Sequence, residues 1–236
     1  RDPRITGQAE GVARGQVLSY VDVLRHGRRV GARVAIVGAG GIGFDVAEFL
    51  LEAGHSLTLD PPAWRKHWGV GDPEQVRAGL LRPAPEAPAR QVTLLQRKAG
   101  KPGAGLGKTT GWIHRAALKM KNVDMLAGVN YEQIAPEGLW VSYGEKRADA
   151  LESATGRSRA DSTPSGGLTR SGSSGGLVLI EADTIVLCAG QEPLRELEAP
   201  LRAAGISVHL IGGALQAGEL DAKRAILQGT TLACRL

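Results

Sequence analysis

One stretch of the chain, Arg33–Leu51 (RVAIVGAGGIGFDVAEFLL), limits the possible folds more than any other. It begins with a short apolar run that is followed at once by glycine, which is typical of a buried parallel strand. Residues 38–43 then read G-x-G-x-x-G, and apolar residues recur behind them at helical spacing: Ile42, Val46, Phe49, Leu50 and Ala53. Strand, glycine turn and helix thus follow one another in the order of a dinucleotide-binding unit.

The residues of this turn have separate expected roles. Gly38 permits the tight turn, Gly40 lets backbone N–H groups approach a pyrophosphate, and Gly43 lets the helix pack closely on the strand. Gly41 and Ile42 begin the helix, whose free N–H groups and positive dipole end attract an anion. We predict that these residues bind a dinucleotide. The alternative is a glycine-rich turn that only packs.

Two segments could form the second strand of this unit, and the choice decides the expected cofactor. His55–Asp60 would place Asp60 about twenty residues into the unit, where a carboxylate selects NAD. Gln91–Gln96 is richer in strand-forming residues, and it is followed by the cations Arg97 and Lys98. A guanidinium suits the 2′-phosphate of NADP. We take the second segment as the strand and predict that the ligand is NADP(H), that is, NADPH or its oxidised form.

The other predicted elements are short. Helices are predicted over Val17–His26, near Pro73–Leu81, and over Trp112–Lys121, Pro193–Ala204 and Glu219–Ala233; strands are predicted over Val123–Leu126, Val129–Ile134, Leu139–Tyr143, Leu177–Ile180, Thr184–Leu187 and Ser207–Ile211. The tract Ser153–Gly176 has few large apolar side chains and is expected to be a flexible insertion. Lys101–Gly111 resembles a phosphate loop, but proline replaces a required glycine, so it is predicted to be a glycine loop near the cofactor.

Composition argues against several classes of function. The net charge is +5, but the cations are scattered and aromatic residues make up only 4%, so no nucleic-acid partner is expected. No apolar run approaches the roughly 20 residues of a membrane helix, so no membrane partner is expected. The two cysteines, Cys188 and Cys234, form no C-x-x-C motif. We therefore expect no metal site and a reducing, cytoplasmic location.

With these segments in place, the chain resembles the C-terminal part of bacterial NADPH-dependent 2,4-dienoyl-CoA reductases, flavoproteins of the old-yellow-enzyme-like group. The resemblance covers nearly the whole chain outside residues 148–176. It is carried by VLSYVDVLR (Val17–Arg25), GGIGFD (Gly40–Asp45), LLQRKAGKPGAGLGKTTGWIHR (Leu94–Arg115), CAGQEP (Cys188–Pro193), HLIGGA (His209–Ala214) and ELDAKRAI (Glu219–Ile226). Together these motifs are far more selective than the glycine pattern alone.

The resemblance implies an α/β, three-layer FAD/NAD(P)-binding (Rossmann-like) fold with a small antiparallel β appendage. Residues 1–32 would be a remnant of an FAD-binding domain, and residues 188–236 its return segment. Residues 33–187 would form the NADPH-binding domain, with a flexible insertion at 148–176. The residues implied to approach FAD are Ala189 and Gly190 at the crossing, then Gly212, Gly213 and Ala214, and finally Leu220 and Asp221 at the start of the last helix.

The implied function is transfer of hydride from NADPH to FAD, from which electrons pass through a 4Fe–4S cluster to FMN and an enoyl-CoA substrate of fatty-acid oxidation. The cofactors carry this chemistry, so no catalytic side chain is predicted. Cys188, at the end of an apolar strand, is interpreted as a buried, inert thiol. Two alternatives stay open: a non-catalytic nucleotide-binding module of an amine dehydrogenase-like or NADH:flavin oxidoreductase protein, and an interaction protein.

Parts of the family have no counterpart here. The FMN-binding barrel, the first FAD glycine motif and the four cluster cysteines are missing, and the first methionine is Met120. We therefore expect a fragment whose missing N-terminal barrel domain is a partner. Such a fragment is expected to bind NADPH, to hold FAD poorly and to reduce no dienoyl-CoA.

Overall fold

A computed structural model describes residues 7–8, 12–13, 15–52, 54, 56–143, 177–218 and 222–236. The chain divides into two compact units, residues 1–189 and 190–236. The predicted insertion Ser153–Gly176 lies outside the described residues, and so do Leu220 and Asp221.

The described strands of the first unit form two sheets. In chain order they are β1 (Gly7–Gln8), β2 (Val17–Ser19), β3 (Arg33–Val37), β4 (Gln91–Gln96), β5 (Asp124–Ala127), β6 (Val129–Ala135), β7 (Gly138–Tyr143), β8 (Leu177–Glu181) and β9 (Thr184–Leu187). One sheet has the order β2-β9-β3-β4-β5 and is parallel throughout. The other has the order β1-β6-β7-β8, with antiparallel pairing from β6 to β8.

The described helices are also short. They are α1 (Tyr20–Leu24), α2 (Gly41–Leu51), α3 (Pro61–Trp68), α4 (Gly111–Met120), α5 (Glu198–Ala203), α6 (Gly212–Leu215) and α7 (Ala222–Ala233). The first four belong to the first unit and the last three to the second.

The parallel sheet is buried on both faces, which explains the apolar run of β3. Val34 and Ile36 belong to one core cluster, together with Phe44 and Leu50 of α2. Ala35 and Val37 alternate with them and belong to a second cluster, built with the antiparallel sheet. Helices, parallel sheet and antiparallel sheet therefore form three layers. The predicted α/β fold with a small antiparallel appendage is confirmed.

The N-terminal helix begins later than predicted. Val17–Ser19 is a strand that pairs in parallel with β9, in the register Val17↔Ile185. The helix begins at Tyr20 because Ser19 and Asp22 form a capping box: the Asp22 amide donates to Ser19 Oγ at 3.1 Å. The prediction of a helix over all of Val17–His26 was therefore wrong in its first turn.

Three other predicted elements differ from the structure. Pro73–Leu81 contains only a 3₁₀ turn, and the helix of this region, α3, lies earlier in the chain. Ser207–Ile211 forms no strand, and Pro193–Ala204 is helical only over α5. Each of these segments is apolar enough to suggest a regular element, but pairing and packing decide whether one forms.

Candidate dinucleotide-binding site

The glycine turn lies where the strand order of the parallel sheet reverses. From β3 the chain continues to β4 and β5 on one side, whereas β9 and β2 lie on the other. The turn follows β3 directly, so it sits at the carboxyl ends of neighbouring parallel strands. In open α/β sheets this switch point is where ligands bind.

Gly38 and Gly43 are required by the geometry of the turn. Gly38 has a φ of +115°, and a Cβ placed there would lie 2.8 Å from the Cβ of Ala189. A Cβ on Gly43 would collide with the carbonyl oxygen of Gly38. The first glycine therefore permits the turn and the last permits close packing of helix on strand, as the sequence predicted.

Gly40 and Gly41 face open space instead. A Cβ added at either residue would meet no atom within 4 Å. Gly40 is the N-cap of α2 and has no side chain to cap the helix, and the first turn of α2 contains no acidic residue. The turn, which continues into the half-buried Ile42, therefore has open space for an anion and backbone N–H groups that can donate to it. Its geometry fits a dinucleotide pyrophosphate.

The end of β4 is tied to this turn. The Gly38 N–H donates to the carbonyl of Leu95 at 2.8 Å. The side-chain amide of Gln96 then donates to the carbonyls of Lys98 and Gly100, at 2.9 and 2.5 Å, and folds the chain into a hook. Arg97 and Lys98 lie on this hook with exposed side chains. Within the described ranges neither cation forms an ion pair.

The choice of second strand is confirmed, because β4 pairs with β3 in the register Val34↔Val92. The competing segment does not enter the sheet: Leu57–Leu59 is a 3₁₀ turn. Asp60 caps α3 by accepting from the Ala63 amide at 3.0 Å. Its carboxylate thus has a local structural role.

A contact that the sequence did not predict joins Lys101–Gly111 to the glycine turn. The Gly103 N–H donates to the Ala39 carbonyl at 3.2 Å. The guanidinium of Arg115, on α4, donates to the Gly103 carbonyl at 2.9 Å. The prediction placed a glycine loop near the cofactor, but nothing in the local pattern identified Gly103 or Arg115.

Side-chain packing around the turn also differs in part from the predicted pattern. Phe44 is fully buried although the sequence reading did not select it, and the selected Phe49 is 51% exposed. On α4, Leu118 is fully buried and Trp112 is 60% exposed. Helical periodicity locates a face only to within a residue, and the neighbouring layer selects the buried side chains.

Cys188 follows β9 and lies beside the glycine turn, where its N–H donates to the Val37 carbonyl at 2.9 Å. Burial raises the pKa of its thiol to about 12. Since the thiolate is the reactive form, the raised pKa agrees with the interpretation of an inert thiol, although the residue is half-buried and not fully buried as predicted.

Alkylation provides a test of Cys188. At pH 8 it should react with iodoacetamide about a thousandfold more slowly than an ordinary thiol, because its pKa is raised from 9.0 to about 12. Cys234 is exposed and serves as the internal reference. Time-resolved peptide mass spectrometry measures both rates, and unfolding in urea should equalise them. Equal rates in the folded chain would contradict the assignment.

The residues that the family resemblance implies to approach FAD lie after β9 and in the second unit. Ala189 is half-buried beside Gly38, and Gly190 is exposed with a φ of +84°. In the second unit, Gly212, Gly213 and Ala214 begin α6. The Gly212 N–H donates to Gln228 Oε1 at 2.6 Å, and the Ala214 carbonyl accepts from Arg195 Nε at 2.7 Å. Leu220 and Asp221 cannot be placed, since they lie outside the described residues.

Two further observations concern the described residues only. None of their helices combines the length and apolar character needed to cross a membrane. Nor do their His, Cys, Asp and Glu side chains gather in any group of three that could hold a metal ion.

A parallel sheet with a G-x-G-x-x-G turn at its switch point defines the class of dinucleotide-binding α/β domains. Within that class, the family described as pyridine nucleotide-disulphide oxidoreductase matches residues 1–216, and the chain belongs to this family. The family is one of flavoprotein oxidoreductases, and membership implies binding of a nicotinamide nucleotide and of FAD.

Solved structures share this fold. A 2-naphthoyl-CoA reductase in complex with 2-naphthoyl-CoA is 18% identical, with a TM-score of 0.54 over 90% of this chain and 22% of that chain. The 6-hydroxypseudooxynicotine amine oxidase of Pseudomonas geniculata N1 is 18% identical, with a TM-score of 0.52 over 92% of this chain and 24% of that one. Histamine dehydrogenase from Rhizobium sp. 4-9 is 14% identical, with a TM-score of 0.55 over 98% and 27%. The chain therefore spans 22–27% of the length of these proteins.

Proposed function

We propose that this chain binds NADP(H) at the glycine turn and brings NADPH to FAD for hydride transfer, within a cytoplasmic oxidoreductase of the 2,4-dienoyl-CoA reductase type. When bound, the nicotinamide supplies a hydride and the flavin accepts it. The protein's own contribution is to bind and orient the two cofactors. One observation carries the proposal: an open glycine turn is bonded to the strand that leads into two exposed cations.

Charge and geometry support the choice of NADP(H). The pyrophosphate would meet the N–H groups at the start of α2, in the space beside Gly40 and Gly41. The 2′-phosphate would meet Arg97 and Lys98 on the hook after β4. A guanidinium binds phosphate with paired donors, and neither cation forms an ion pair within the described residues, so both can serve the ligand.

We assign residues 33–187 to NADPH, and residues 1–32 and 188–236 to the FAD-binding part. Ala189 and Gly190 would approach the flavin after β9. At α6 the Gly212 N–H is already bonded to Gln228, so the contact there falls to Gly213 unless that side chain moves. Leu220 and Asp221 are proposed to complete the approach at the following helix.

The most specific part of the proposal is the identity of the substrate, an acyl-CoA. The motifs shared with 2,4-dienoyl-CoA reductases support it, and the printed title of one solved structure names a reductase bound to a CoA thioester. The electron path would continue through a 4Fe–4S cluster and FMN in an N-terminal barrel domain, which we propose as a partner. The cysteines of this chain are too few to hold that cluster.

A second candidate is a nucleotide-binding module without hydride transfer in an amine dehydrogenase-like or NADH:flavin oxidoreductase protein. Two of the similar solved structures are an amine oxidase and a histamine dehydrogenase, which favours keeping this candidate. The deciding experiment titrates the purified chain with NADPH and NADH by fluorescence. It then supplies an artificial electron acceptor and a saturating excess of FAD, because the chain is expected to hold FAD poorly. Tighter NADPH binding with NADPH oxidation supports the proposal. Binding without oxidation supports the module, and binding of neither nucleotide contradicts both.

A further inference from the structure

We infer that Arg115 is a positioning residue for the dinucleotide: by holding Gly103, it orients the Ala39–Gly40 peptide so that the Gly40 N–H faces the ligand. The inference rests on the proposed function and adds residues that the glycine pattern does not contain. Its basis is the chain of hydrogen bonds from Arg115 to the Gly103 carbonyl, at 2.9 Å, and from the Gly103 N–H to the Ala39 carbonyl, at 3.2 Å.

The orientation of the peptide between Ala39 and Gly40 is set by its hydrogen bond to Gly103. A trans peptide is planar, so its C=O and N–H groups point in opposite directions. The Ala39 carbonyl is directed at Gly103 by its hydrogen bond. The Gly40 N–H must therefore point away from the loop, at a residue that is exposed and has open space around its Cα. That N–H is a donor placed for a pyrophosphate oxygen.

Gly103 can hold this orientation because it packs closely against Phe44. Gly103 is buried, with a φ of +72°, and a Cβ placed there would lie 2.7 Å from the Phe44 ring. Phe44 is itself fully buried in the core at the start of α2. The loop is therefore seated against the helix that carries the anion site. Only glycine permits this approach, and a shift of Gly103 would be passed directly to Ala39.

Arg115 provides a second restraint on Gly103. It lies on α4, and its half-buried side chain reaches across to the loop backbone rather than to a carboxylate. A charged donor to a carbonyl is stronger than a neutral one. Arg115 restrains the peptide group that follows the Gly103 Cα, and the bond to Ala39 restrains the peptide group that precedes it. The Gly103 carbonyl also accepts from the Leu106 N–H at 3.1 Å, so without the guanidinium it keeps only this neutral donor. The Gly40 N–H would then be less well preorganised for binding.

The test compares Arg115→Met with Lys119→Met in the full chain. Lys119 is an exposed cation on the same helix, so its variant removes the same charge without touching the loop. The two ligands are NADPH, which has the pyrophosphate, and 2′-AMP, which has only the 2′-phosphate. We expect Arg115→Met to weaken NADPH about threefold to tenfold and 2′-AMP less than about twofold. Lys119→Met should weaken the binding of both ligands only slightly, through the loss of one distant positive charge.

A general structural defect would weaken both ligands in parallel, and that result would overturn the inference, as would unchanged NADPH binding. If Arg115→Met does not fold cooperatively, Arg115→Gln provides the same comparison, because its amide donor ends two atoms short of the guanidinium.

Arg97→Glu separates this inference from the proposed function, since it should weaken the binding of both NADPH and 2′-AMP. If the parent chain does not bind NADPH, the proposed site is wrong and the inference is overturned with it. If the parent chain binds NADPH and Arg97→Glu has no effect, the assignment of Arg97 to the 2′-phosphate is wrong, and the comparison of Arg115→Met with Lys119→Met still decides the inference. If Arg97→Glu weakens binding and Arg115→Met does not, only the inference fails.

Discussion

Replacing Gly43 with alanine is expected to lower the free energy of unfolding by about 3 kcal/mol, at the upper end of overpacking effects. The new Cβ would collide with the carbonyl oxygen of Gly38 and would also lie 3.4 Å from Leu94 Cδ1. The obstacle is backbone in a tight turn, so relief requires α2 to move away from β3. That movement would also displace the N–H groups of the anion site. Denaturant unfolding followed by circular dichroism measures the first effect, and NADPH titration measures the second.

The matched control is Gly41→Ala, two residues earlier in the same helix. Its Cβ would meet no protein atom within 4 Å, and alanine favours the helix more than glycine does, so stability should be equal to the parent or slightly higher. NADPH binding is expected to weaken in this variant if the ligand fills the open space. If the Gly43→Ala chain is as stable as the Gly41→Ala chain, the close packing of α2 on β3 and the glycine turn is contradicted.

Reversing the charge at Arg97, in Arg97→Glu, is expected to weaken NADPH binding by roughly tenfold to a hundredfold, because a charge-assisted hydrogen bond to phosphate is worth about 1.5–3 kcal/mol. NADH lacks the 2′-phosphate, so its affinity should change much less. Fluorescence titration of both nucleotides gives the ratio of the two affinities. That ratio, rather than either value alone, reports on the 2′-phosphate.

The control for Arg97→Glu is Lys119→Glu, which makes the same kind of charge change at an exposed position on α4. It should affect both nucleotides slightly and alike through long-range electrostatics, and the effect should shrink as salt is added. If the parent chain binds NADPH and NADH equally, or if Arg97→Glu leaves their ratio unchanged, the assignment of Arg97 to the 2′-phosphate is wrong.

The local parts of the fold could be predicted from the sequence. The strand and helix on either side of the glycine turn are specified by residues close in sequence, and strands β6 and β7 were also predicted to within a residue of their observed bounds. The choice of Gln91–Gln96 over His55–Asp60 was also made correctly, because strand-forming composition is a local property. The predicted cofactor roles of individual residues, including Arg97 and Lys98, remain predictions for the titrations above.

Elements that depend on distant partners were predicted less well. Val17–Ser19 has apolar residues that fit a helix, but it becomes a strand because β9 provides a parallel edge for it. Ser207–Ile211 has the composition of a strand and forms none within the described part of the second unit. Backbone groups can be satisfied in more than one way, and the available pairing edge decides which.

The sequence by itself determined that the chain contains a strand, a glycine turn and a helix in the order of a dinucleotide-binding unit, and that two cations follow the neighbouring strand. Glycine spacing and apolar periodicity are short-range properties, so they can be read without knowing what surrounds them. Only the tertiary structure decided which strands meet at the switch point and that Arg115 reaches the turn through Gly103. Those contacts join residues far apart in the chain, and they exist because burial of both sheet faces brings the helices and loops together over the same strand ends.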